Sequence, residues 1–141
     1  MFDALRLSLN STAVFGFVLY ISVAALLFAL FQFIYTRLTP HREFDLIRGN
    51  NPAAAIALGG SLIGFALPAS SIISYSVSVL DFVVWVVIAA VVQLLAFFVT
   101  SRVLKDLSAR IARGELAAAI YAASVAVSVG FLNSACMTPS A

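Results

Sequence analysis

Apolar and polar positions along this chain are segregated into blocks. The first apolar run, Thr12 to Thr36, contains no charge. A second extends from Pro52 to about Tyr75, a third from Phe82 to Ser101, and a fourth from Leu116 to Met137. A helix rising about 1.5 Å per residue needs roughly 20 apolar residues to cross about 30 Å of hydrocarbon, and each run has about that length. The first run is expected to be an uncleaved span. It exceeds the roughly 7–15 residues of a signal-peptide core, and no small-x-small cleavage site follows it. The run from Phe82 to Val92 is rich in β-branched residues but lacks the alternation of a membrane barrel. In lipid every backbone group must pair within its segment, and helices do that. The pattern predicts an all-α integral membrane protein with four transmembrane helices, one membrane domain over residues 1–141.

Composition sharpens this picture. Apolar residues make up 63% of the chain and charged residues 10%, against roughly 45–50% and about 25% in soluble domains. So few charges cannot cover a soluble surface, which excludes an ordinary soluble enzyme and a disordered chain. A net charge of +2 is too small for a nucleic-acid surface.

The charges are placed unevenly. Arg37, Arg42 and Arg48 lie between the first two spans; Arg102, Lys105, Arg110 and Arg113 lie between the last two. Only Arg6 falls on the other side. The positive-inside rule puts both basic loops in the cytoplasm, and both termini outside. Arg37, Arg42, Arg102, Lys105 and Arg110 form a basic surface that reads either as an orientation signal alone or as a docking surface for anionic lipid or an acidic partner. Glu43, Asp45, Asp106 and Glu115 dilute it. In the second loop Val103, Leu104, Leu107 and Ile111 share one helical face, which suggests an interfacial helix or a continuation of the third span. Pro40 breaks the first loop, so any helix there is expected over Arg42 to Ile47.

The chain also repeats itself at about 65 residues. Phe33 to Arg37 matches Phe98 to Arg102, and Leu46 to Gly49 matches Ile111 to Gly114. Ala53 to Ile56 matches Ala117 to Ile120 after a one-residue slip. Arg48, Gly49 and Asn50, with Arg113, Gly114 and Glu115, carry the repeat at the turn into each even-numbered span. Two helical hairpins of like orientation follow, repeat one about 12–75 and repeat two about 80–138, related by a pseudo-two-fold axis along the membrane normal. Asn51 followed by Pro52 marks the start of the second span, as an N-cap and a first-turn proline. Gly60 and Gly64 in that span, and Ala122, Ala126 and Gly130 in the fourth, form small-residue faces suited to close packing in lipid. The bulky side chains Phe15, Phe17, Phe28, Phe31, Phe33, Phe82, Trp85, Phe97 and Phe98 lie in the other two spans, expected to face lipid or wrap the centre.

The segment from Leu46 to Ala66 resembles the first-half motif of the bacterial inner-membrane family known as domain of unknown function 350. Asp81 with Trp85, Val91 to Leu94, the Gly114–Glu115 entry with its alanines, and Gly130 to Thr138 are similar to the second half. The resemblance spans nearly the whole chain, although Asn51 and Pro52 stand where the family pattern has a single apolar residue. It implies a four-span inner-membrane protein built from two paired-span repeats, without an established activity, and points to membrane-stress systems with peripheral coiled-coil partners.

Ionisable groups inside a span are functional candidates, and this chain has almost none. Asp81, three residues after Ser78, reads as a helix cap or as a cation attractor at a pore mouth. Gln93 and Gln32 in the spans, and Asn133 near the end of the last, read as interhelical hydrogen-bonding groups. Pro68 is followed by Ser70, Ser71 and Ser74. It marks either a kink or a discontinuous helix lining a hydrated cavity, with Asp81, Gln93, Asn133 and those serines as a polar path. His41 and Cys136 are the only residues of their kinds and lie on opposite sides, so no zinc site, catalytic dyad or disulfide is expected. Cys136 is either buried or an outward thiol.

No enzyme activity and no cofactor are expected. The leading expectation is a non-enzymatic protein of the bacterial inner membrane. It would self-assemble as a homo-oligomer through its small-residue faces and, through its basic loops, dock a peripheral cytoplasmic protein in envelope maintenance or stress. The alternative is a small oligomeric channel or transporter for ions or small solutes.

Overall fold

The structure, a computed structural model, describes residues 1–137. Residue 138, where the second repeat was expected to end, lies outside the described residues. Seven helices follow in order: α1 (Phe2–Ser8), α2 (Ser11–Leu38), α3 (Glu43–Arg48), α4 (Pro52–Tyr75), α5 (Val79–Val103), α6 (Leu107–Ala112) and α7 (Leu116–Cys136). No strand occurs among the described residues. Helices α2, α4, α5 and α7 are long and apolar enough to cross a membrane, α2 and α5 markedly more apolar than α4 and α7. This is an all-α integral membrane protein. Short α3 and α6 lie at one end of the bundle, the basic end.

The helix starts follow from local side chains. Asn10 caps α2 by accepting from Ala13 N–H at 2.7 Å. Ser78 caps α5 by accepting from Asp81 N–H at 3.1 Å, and the Asp81 carboxylate accepts from Val77 N–H at 3.1 Å. This reciprocal cap starts α5 three residues earlier than the apolar run suggests. Asn51 caps α4 from Ala54 N–H, with Pro52 in its first turn. The Asn51 amide also donates to the carbonyls of Ile111 at 3.1 Å and Ala112 at 3.2 Å, tying the entry of α4 to the end of α6.

The turns out of α3 and α6 close with one hydrogen-bond pattern. Gly49, Asn50 and Asn51 donate to Asp45, Ile47 and Leu46; Arg113, Gly114 and Glu115 donate to Ala109, Ile111 and Arg110. Each atom of the second set lies 64 positions after its counterpart. Asn50 at φ +62° and Gly114 at φ +80° occupy the matching left-handed positions, where asparagine and glycine are the tolerated residues. Gly114 therefore corresponds to Asn50, one residue later than the expected match with Gly49. The slip lies upstream of both turns: four residues, 39–42, join α2 to α3, whereas three, 104–106, join α5 to α6. Asp106 takes φ +58° in that shorter link, so α5 does not continue into α6. The expected shared face is split: Leu107 and Ile111 of α6 are buried in the protein, while Val103 stays on α5 and is 62% exposed.

Helices α4 and α7 run parallel in close contact. A methyl group placed on Gly130 would sit 2.7 Å from Gly64 Cα, and one on Gly60 would lie 2.5 Å from Ala123 Cα. Ala123, next to the expected Ala122, meets Gly60; Ala122 packs beside the buried alanine cluster at the basic end. That cluster joins Ala53, Ala54 and Ala57 of α4 to Leu107, Ile111, Ala118 and Ala119. Helix α5 packs on both α4 and α7, and α2 rests against α4 and α5 through an aromatic cluster. Phe31 stacks on Phe65 at 4.2 Å, and the Tyr35 ring meets Phe97 edge-on at 5.1 Å. The bulky residues thus divide. Phe31, Phe82 and Phe97 turn inward, while Phe15, Phe17, Phe33, Trp85 and Phe98 are exposed and face lipid.

Gly130→Val should destabilise the protein by about 3 kcal/mol, because a side chain there overlaps backbone that cannot retreat. Gly59→Ala meets nothing within 4 Å and should stabilise by about 0.5–1 kcal/mol through helix propensity. Reversible unfolding in detergent micelles measures both.

Candidate functional site

At the basic end most of the positive charge is already paired. Arg42 bonds Asp45 at 2.9 Å, and Arg48 approaches the same carboxylate at 4.0 Å. Arg110 and Arg113 both clasp Glu115, at 2.6 and 2.9 Å. Their guanidinium groups hold the Glu115 carboxyl below the usual carboxylate range. Arg37 lies over the Phe33 ring, 4.7 Å from its centre. Of the expected basic surface, Arg102 and Lys105 are exposed and make no ion pair among the described residues.

The expected polar path does not assemble. Ser70 and Ser74 are exposed and donate back to the carbonyls of Leu67 and Ser70 within their own helix. Asp81 is a cap at the far end, lining an open cavity with Tyr75, Trp85 and the exposed Cys136. The remaining groups join helices instead. Ser71 pairs with Ser134 at 2.5 Å, Asn133 donates to Ala89 O at 3.3 Å, and Gln93 donates to Ala126 O at 2.8 Å. Helix α4 is continuous through buried Pro68, so no broken helix lines a passage. Pro68 frees the Gly64 carbonyl, which is covered by the Gly130 backbone of α7.

The structure gathers other residues that the sequence pattern left apart. A small, partly enclosed cavity of about 20 Å³ lies between α2, α4, α5 and α7 toward the basic end, and Tyr35, Ser61, Gln93 and Thr100 supply its polar groups. Gln93 is 3% exposed, and its Oε1 has no hydrogen-bond partner among the described residues. Below the cavity, Thr39 and Glu43 are also buried. The Thr39 hydroxyl donates to Glu43 Oε1, and His41 Nε2 lies 3.5 Å from the same oxygen. Glu43 is close enough to act electrostatically on the Tyr35 phenol.

Burial raises the Glu43 carboxyl above the usual carboxylate range, against the smaller opposing effect of the Thr39 hydrogen bond. Burial also lowers the His41 imidazole. Both shifts favour a neutral acid beside a neutral imidazole. Glu43 is therefore no surface acid diluting the basic loop, the part the sequence suggested. Pro40 hides the arrangement: it ends α2, so the four-residue spacing of Tyr35, Thr39 and Glu43 carries no helical meaning. Among the described residues no group of three His, Cys, Asp or Glu side chains is placed to hold a metal ion.

The family model described as Domain of Unknown Function (DUF350) matches residues 8–137. The chain is 38% identical over 130 residues to the UPF0719 inner membrane protein YjfL of Escherichia coli K12, covering 92% of this chain and 97% of that protein. It is 32% identical over 80 residues to the UPF0719 transmembrane protein YshE of Bacillus subtilis, covering 57% of this chain and 60% of that one. No solved structure matches.

The raised Glu43 makes a signed prediction. Its neutral form is favoured in the folded state, so its contribution is complete below about pH 4.3, the unfolded value. It is lost as pH rises through the raised folded value. Glu43→Gln keeps an acceptor for Thr39 and cannot ionise. The variant should match the parent in acid and exceed it in thermal stability at alkaline pH, as measured by unfolding across a pH series.

Proposed function

Because the chain belongs to the DUF350 family, we propose that it is a non-enzymatic inner-membrane scaffold that self-associates and docks a peripheral protein in envelope maintenance or stress. The observation that carries this reading is the use of the polar groups within the spans. Gln93, Asn133, Ser71 and Ser134 bond helix to helix, and α4 is unbroken. Such an interior holds a shape and offers no open route for a solute. The positive-inside rule supports a cytoplasmic basic end. There α3 and α6 form a small folded platform, and beside it Arg102 and Lys105 make no ion pair among the described residues. The name of the Escherichia coli relative supports the inner membrane as the location.

Self-association is assigned to a different face from the small-residue stripes, which α4 and α7 use against each other. Helix α2 is exposed over most of its circumference, with Phe15, Leu26, Leu30 and Phe33 on one face. Packing of such a face against a second copy would be driven by van der Waals contact.

Cross-linking in native membranes followed by purification in mild detergent should yield an oligomer with a retained peripheral protein. The double variant Arg102→Glu/Lys105→Glu should lose at least tenfold of that partner while keeping the oligomer. A strict monomer without a partner overturns the reading, as does ion flux above that of empty liposomes after reconstitution.

A further inference from the structure

The buried polar groups of α2, α4 and α5 have a chemistry that packing alone does not explain. A span interior tolerates a polar atom when it is hydrogen-bonded, and an orphaned amide oxygen in such a place costs about 1–3 kcal/mol. Gln93 Oε1 is such an orphan, although its Nε2 is well bonded to Ala126 O. Beside it is a cavity of about 20 Å³ whose other polar groups are the hydroxyls of Tyr35, Ser61 and Thr100. One water needs about 10–15 Å³ and two to four polar partners. The cavity meets both conditions. Thr100 already donates to Ala96 O, so its oxygen remains as an acceptor.

The same column continues toward the basic end. Tyr35 is one helical turn before Thr39, whose N–H donates to the Tyr35 carbonyl. Thr39 donates its hydroxyl to Glu43, and all three residues are at most 6% exposed. The aromatic cluster of Phe31, Phe65 and Phe82 seals the bundle on the other side. The column therefore ends at the basic end in buried Glu43 and is bounded by aromatic rings beyond Gln93.

We propose that Glu43 is a proton-binding site at the basic end, coupled through Thr39 and Tyr35 to a single water held in the cavity by Gln93, Ser61 and Thr100. The ligands are a proton and a water molecule. The proton comes from the aqueous phase at the basic end, adds to the Glu43 carboxylate and returns there; no other bond forms or breaks. Uptake leaves the buried column neutral, and release puts an anion next to the Tyr35 hydroxyl. The column thus reports the pH on one side of the membrane to the centre of the bundle.

The titratable groups facing Glu43 are His41 and Tyr35. Helix α4, packed against α3, has no titratable side chain before Tyr75. From α5 and α6, Asp106 lines a groove that Pro40 and Ser101 share. On α3 itself, Asp45 is paired with Arg42 and Arg48.

The test uses the full chain in lipid vesicles. Infrared spectroscopy across a pH series should show one protonated carboxyl that persists above the ordinary carboxylate range and vanishes in Glu43→Gln. Gln93→Leu and Tyr35→Phe, each checked for native helicity, should dry the column and raise the midpoint of that band by about half to one pH unit. Water-edited solid-state NMR should show magnetisation transfer from water to the Gln93 side-chain amide. A missing band, a band unchanged by Glu43→Gln, a midpoint unmoved in both other variants, or a dry Gln93 amide each overturns the proposal.

Discussion

The rest of the fold depends on two backbones touching in the middle of the membrane. Lipid tails are as apolar as leucine, so apolarity gives helices no reason to prefer one another. What distinguishes a partner is close van der Waals contact and the hydrogen bonds it permits. At Gly64 and Gly130 no side chain intervenes, and Pro68 has left the Gly64 carbonyl in need of cover. Gln93 of α5 reaches the same spot and bonds Ala126 O. Three helices are thus registered at one point. The register then extends along the parallel pair, through Ser71 with Ser134 at one end and Asn51 with the α6 carbonyls at the other.

Helix α2 stands outside this arrangement. It makes aromatic contacts with α4 and α5 but leaves most of its surface to lipid. The division matches the side chains each helix carries. Small residues belong to the pair that must approach closely, and bulky aromatics to the helices that fill the space around it. The basic end follows a similar economy. Its arginines are mostly tied to acids on short local segments, which stiffens the turns and leaves few cations uncompensated.

Much of this was legible in the residues. Span lengths, the Asn51–Pro52 start and the Ser78–Asp81 cap depend on neighbours a few positions away, and local rules reach that far. Gly60, Gly64 and Gly130 were recognisable as packing positions because size alone marks them. The facing partner was harder: Ala122 and Ala123 differ by one step around a helix, and only tertiary placement selects Ala123. The match of Gly114 with Asn50 was obscured because two residue types serve one left-handed conformation. Gln93 and Asn133 were readable as interhelical groups, but the serines after Pro68 left both a kink and a polar path open, and Ser70 and Ser74 bond within their own helix. Glu43 was misplaced because burial comes from helices distant in sequence. The cavity it leads to is bounded by four separate spans, and no pattern within any one of them announces it.

The unequal apolarity of the spans has a consequence for how the molecule comes into being. The chain emerges from the ribosome N-terminus first, so α2 reaches the translocation machinery before α4, α5 and α7. Its strong apolarity lets it partition into lipid unaided, and α5 shares that property. Helix α4, rich in glycine, alanine and serine, is a weaker guest of the bilayer. Its natural companion, α7, is made only after α5 and α6. Between those two events α4 has α2 and then α5 beside it, but not the close-packed face of α7. Completion is therefore a late step, and a chain cut short before α7 would leave α4 exposed to quality-control proteases.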